Sequence, residues 1–143
     1  MMGKLHFYSG ILIVVLFLLT GQYMHHQYDH LRDMELMQRA LFRAGHLYIL
    51  LFGLIHIALG INLHRAKDSL WRAVQAFAST LTFSASVLVI YAFFTELPPQ
   101  QIERPLTRFS LYIILSGISL HGIVYLFTNL ITLPLEHPED TTT

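Results

Sequence analysis

Four long apolar runs, each free of Lys, Arg, Asp and Glu, alternate with short polar stretches along this chain. The first lies between Lys4 and Asp29 and is most apolar over Ile11 to Leu19. The second is Ala44 to His64, 21 residues without a formal charge. The third runs from Ala73 through Thr95 and the fourth from Phe109 through Leu135. A helix of roughly 20 apolar residues crosses a bilayer core of about 30 Å. The pattern therefore predicts an all-α fold: an integral membrane four-helix transmembrane bundle in a single membrane domain. The expected spans are about 5–23, 44–63, 71–95 and 107–132, followed by an acidic tail at 134–143. The first run resembles the start of a signal peptide, but LLTGQYM offers no small-x-small cleavage site. It is read as a retained helix, facing lipid over most of its surface.

The connector from Gln22 to Arg43 mixes Leu, Met, Glu, Gln and Arg, with no Gly or Pro from Asp29 onward. That composition suits a short interfacial helix before the second span, or an extension leading into it. Asp68 or Ser69 is placed to cap the third helix. Pro98 and Pro99 end it, and Pro105 fits the first turn of the fourth.

At about 100° per residue, three of the helices carry polar or small stripes. His46, Gly53, Gly60 and His64 fall within about 40° on helix two, with His56 on the flank. Gln75, Ser79, Thr82 and Ser86 share a face of helix three. Ser110, Gly117, His121 and Thr128 share one on helix four. Such stripes face other helices in a membrane, since small residues permit close approach and polar groups hydrogen-bond across.

Composition sharpens this picture. Only 13% of residues are charged and 54% are hydrophobic, and the formal net charge is zero. Neutrality gives no general attraction to nucleic acid. Absence of cysteine excludes disulfides, thiolate catalysis and cysteine-based metal sites. Nine histidines are the one excess, and imidazole suits haem iron, metals and protons. No GxSxG, HExxH or phosphate-binding glycine loop is present, so independent catalysis is not expected.

Depth selects among the histidines. His56 lies 13 residues after Arg43, and His121 lies 13 after Arg108. At 1.5 Å per residue each is roughly 20 Å along its helix, so the two are expected at one level. A pair of deep imidazoles suits haem b, with His56 and His121 as axial ligands and Arg43 and Arg108 as propionate partners. Gly53, Gly60 and Gly117 would then line the haem slot. In a plainer reading, the same histidines are neutral and hydrogen-bond to neighbouring Ser, Thr or carbonyl groups. A proton path is a further use. A second cluster, His25, His26 and His30 with nearby methionines, suits copper or zinc, and His46 near an interface is a further candidate ligand.

The functional expectation is a small haem-binding electron-transfer or anchor subunit. The alternatives are a non-catalytic accessory subunit and a copper- or zinc-handling protein. The expected partners are the lipid bilayer and other membrane subunits or further copies of the chain. The expected location is a bacterial-type inner membrane. Lys4, Arg65, Lys67 and Arg72 give the terminal side its basic residues and favour cytoplasmic termini, against five arginines on the other side.

Overall fold

The computed structural model describes residues 2–28, 31, 34–96 and 103–130. They form four helices: α1 (Met2–Tyr28), α2 (Leu36–Asn62), α3 (Ser69–Thr95) and α4 (Pro105–Leu130). All four are long and apolar enough to cross a membrane. Large apolar side chains such as Leu12, Leu54, Val87 and Leu115 point outward along them, as a lipid-facing surface requires. The second half of the connector takes the form of an extension: Leu36 to Arg43 are the opening turns of α2. The Pro98–Pro99 pair and the acidic tail lie outside the described residues.

Two antiparallel hairpins build the bundle. In the first, α1 packs closely on α2 because glycines recur every seven residues on both sides. A Cβ on Gly60 would sit 2.6 Å from the backbone nitrogen of Phe7, and one on Gly10 would sit 2.8 Å from the carbonyl of Gly53. In the second hairpin, Gly117 of α4 lies against Thr82 and the Ala78 carbonyl of α3. Close backbone approach is the usual way that membrane helices gain van der Waals contact, since lipid provides no hydrophobic drive between them. The glycines expected to line a haem slot are thus occupied by helix contacts.

The buried positions of α1 add one feature to the expected lipid-facing helix. His6, Gly10, Ile13, Thr20 and Met24 are buried on a single narrow stripe. Most of α1 does face outward, but this stripe carries a histidine into the centre of the bundle.

Polar and apolar layers alternate from one end to the other. At the end away from the termini, Glu96 closes α3 and accepts from the α4 amides of Leu106 (2.5 Å) and Thr107 (3.1 Å), and from Thr107 Oγ1 (2.6 Å). These are orphan amides of a helix N-terminus, where negative charge is stabilised. Arg104 pairs with Glu96 at 3.8 Å, donates to the carbonyl of Leu41, and lays its guanidinium over Gly45. Burial pulls the Arg104 guanidinium below its usual range, while the Glu96 carboxylate opposes that shift. Phe42 then stacks on Phe93 at 5.1 Å, and Ile13, Ile49, Phe52, Val89 and Ile114 fill the middle. At the terminal end, Gln75 donates to the His64 carbonyl at 2.8 Å and ties down the α2–α3 turn. Asp68 holds the N-cap position of α3 without a side-chain cap bond.

Candidate functional site

Below the apolar layer, toward the termini, three histidines from three helices meet two serines of α3. His6 and His56 are fully buried, and His121 is 5% exposed. His6 Nδ1 lies 2.9 Å from His56 Nδ1, and His6 Nε2 lies 3.0 Å from Ser79 Oγ. Ser79 Oγ lies 3.3 Å from His121 Nε2, and His56 Nε2 lies 2.9 Å from Ser86 Oγ. Phe83 stacks on the His6 ring at 4.6 Å and closes one side of it. The five polar groups form one continuous chain, from His121 through Ser79, His6 and His56 to Ser86.

With all three rings neutral and the Ser86 proton on the Thr82 carbonyl, the chain has one proton order. Ser86 Oγ donates to the carbonyl of Thr82 at 3.0 Å, so it accepts from His56 Nε2. A neutral imidazole has one N–H and one bare nitrogen. His56 Nδ1 is therefore bare and accepts from His6 Nδ1. His6 Nε2 is then bare and accepts from Ser79 Oγ. Ser79, its single proton used, accepts from His121 Nε2. The order ends with His121 Nδ1 bare, and this atom has no hydrogen-bond partner among the described residues.

His121 also lines a cavity of about 680 Å³ between α2, α3 and α4. Leu59, Leu63, Ile118 and Val124 give it apolar walls, with Trp71, Tyr125 and Phe127 beside them. His64, Arg65, Lys67 and Asp68 surround its polar end. With Nε2 turned to Ser79, the other ring nitrogen is Nδ1, which is itself buried. The residue that ends the proton chain thus borders the cavity at the terminal end. At the other limit, Ser86 is followed by Val89 and Phe93, and the buried middle of the bundle is apolar.

The candidates from the sequence fare unequally. His56 and His121 do share one cluster, linked through His6 and Ser79. Arg43 and Arg108 are exposed near the starts of α2 and α4, about 20 Å of helix from those histidines. His46 is elsewhere, 3.0 Å from Thr20 Oγ1 and stacked on Phe17 at 4.1 Å. His25 and His26 are exposed near the end of α1 with their rings 4.8 Å apart, and His30 lies outside the described residues. Among the described residues, no set of three or more His, Cys, Asp or Glu groups is arranged to hold a metal ion. His6 was missed, because Lys4 marks the start of the first span and makes His6 read as part of its polar edge. The signal was its spacing from Gly10, Ile13 and Thr20, which places all four on one helical face.

The fold and site define an all-helical, four-span membrane protein with a buried histidine–serine chain whose end residue, His121, lines a cavity. Comparison of the chain with protein-family models, curated proteins and solved structures finds no match to any.

Proposed function

We propose that this protein is a proton-handling component of a membrane, taking up a proton from one side only. The observation that carries this reading is the hydrogen-bonded chain ending on an unpartnered nitrogen of His121, a residue that lines the cavity. A proton arriving at His121 Nδ1 allows Nε2 to release its own to Ser79. Ser79 passes its hydroxyl proton to His6 Nε2, and His6 Nδ1 passes its proton to His56 Nδ1. One proton has entered, no bond is left unmade, and every link between His121 and His56 has reversed direction. His56 is then the imidazolium, still donating to Ser86. The apolar middle layer supports uptake and return on the same face rather than passage across.

In this reading the terminal end faces the cytoplasm of a bacterial-type membrane, supported by the basic residues Lys4, Arg65, Lys67 and Arg72. The chain acts as a non-catalytic subunit beside other membrane proteins or further copies of itself. The test is an acid titration of ¹⁵N-histidine protein in nanodiscs, followed by NMR. The expected result is one common step in the His6, His56 and His121 signals. Three rings that stay neutral throughout, or a step confined to His121, would overturn the reading.

A second reading keeps one observation in its favour: His56 and His121 share a cluster, as axial haem ligands must. Haem b would require His56 to give up a bond to His6 or Ser86. A reduced-minus-oxidised optical spectrum of the purified protein decides it. A sharp b-type band lost in His56→Ala and His121→Ala supports haem, and a colourless protein after haem supplementation removes it.

A further inference from the structure

We propose that the α2–α3–α4 cavity is a binding site for a membrane-soluble hydroxylated aromatic, a molecule of the phenol or hydroquinone class, whose O–H donates to His121 Nδ1. The inference rests on the neutral proton order given above, and not on proton uptake.

Three observations converge on this class. The first is the polarity of the unpartnered atom, buried on a residue that lines the cavity. A bare imidazole nitrogen accepts and cannot donate, so a carbonyl, ether or carboxylate oxygen gains nothing there. Unpartnered buried polar atoms are uncommon and costly, and a ligand that satisfies one gains accordingly. The second is the wall. Trp71 and Phe127 stack at 5.3 Å with planes 17° apart beside the cavity, and Tyr125 completes an aromatic flank. Flat rings pack on such a flank in offset or edge-on geometry. The third is size and access. About 680 Å³ falls in the range of sites that enclose a drug-sized molecule. Gly122 adds to the room, since a Cβ there would meet nothing within 4 Å.

The charged groups around the cavity do not favour an anionic head instead. Arg65 and Lys67 are exposed and are accompanied by Asp68. Of the described residues that line the cavity, His121 holds the buried polar atom without a partner.

Trp71 is the only tryptophan in the chain, so its fluorescence reports this cavity directly. The experiment titrates the full-length protein in nanodiscs with 4-nonylphenol and, separately, with its methyl ether. The two probes match in shape and apolar surface and differ in the donated proton. The expected result is saturable quenching by the phenol with about tenfold higher affinity than the ether, the scale of one hydrogen bond to an otherwise unsatisfied group. His121→Phe is expected to bring the phenol down to the affinity of the ether and leave the ether unchanged. Gly122→Leu, which fills the space and leaves His121 in place, is expected to weaken both probes. Equal affinities for phenol and ether, or a preference that survives in His121→Phe, overturn the proposal. If His121→Phe does not fold, the phenol-to-ether ratio in the unmodified protein and the Gly122→Leu result decide alone. The ¹⁵N signals of His121 in the same sample separate the two claims. An Nδ1–H tautomer in the neutral protein removes the proton order itself. The expected tautomer without phenol preference removes only the ligand.

Discussion

The two ends of the α3–α4 hairpin treat buried polar groups in opposite ways. At the end away from the termini, Glu96 satisfies two α4 amides and a hydroxyl while Arg104 joins it to α2. Charge is neutralised within the structure, and the helices are latched. At the terminal end, among the described residues, no buried carboxylate stands beside the histidines, which bond to serines instead, and α2 and α4 stand apart around a cavity. A carboxylate would fix a histidine's charge. A serine hydroxyl, which donates and accepts, transmits proton order without fixing it. The difference marks one end as architecture and the other as a place where a proton can be exchanged.

This contrast can be broken most severely at the latch. Glu96→Ala removes the α4 cap and strands the Arg104 guanidinium, and a broken buried pair costs about 3–5 kcal/mol. Unfolding in mixed micelles is expected to show a loss of that order, with the histidine tautomers unchanged in whatever fraction stays folded. A change in the tautomers would mean that the two ends are not separate devices.

A smaller effect is expected from Gly60→Ala. The new methyl would meet the Phe7 backbone at 2.6 Å. Overpacking of this kind costs about 1–3 kcal/mol. Because α1 must move off α2, the His6–His56 contact should weaken as well, visible as loss of their shared NMR response. A variant as stable as the original with that response intact would contradict the packing account.

Ser79→Ala should cost less, about 1 kcal/mol for its hydrogen bonds, yet it sharpens the comparison most. It cuts the chain between His121 and His6 with little change of shape. His121 is expected to titrate alone, with His6 and His56 silent. A common step that persists without the Ser79 hydroxyl would show that the rings communicate by some other route. Smallest of all is the pair Arg43→Gln and Arg108→Gln, exposed on the far side. Exposed substitutions usually stay within about 0.5 kcal/mol, and no change at the histidines is expected.

Much of this arrangement is legible in the sequence. Charge-free runs gave four helices, and equal counts from Arg43 and Arg108 placed His56 and His121 at one level. The polar face of α3 was readable too, with Ser79 and Ser86 on it. What was hidden depended on partners distant in sequence. A small residue looks the same in a helix contact as in a cofactor slot, so Gly53, Gly60 and Gly117 fitted both uses, and their close helix contacts show only in the fold. Glu96 and Arg104 read as loop charges, because nothing local says that a carboxylate ending one helix will cap the next. His6 stood too near Lys4 to look deep, although its helix begins at Met2 and the bundle closes around it.

The central claim is that the histidine–serine chain has one proton order and reverses it on taking up a proton. The tautomer of His6 tests this most directly, because His6 sits in the middle and meets neither cavity nor solvent. ¹⁵N NMR of the neutral protein in nanodiscs is predicted to show His6 protonated on Nδ1, with His56 and His121 protonated on Nε2. After acidification through the common step, His6 is predicted to remain singly protonated but on Nε2, with His56 carrying both protons. A His6 ring that keeps its proton on Nδ1 across that step would contradict the account.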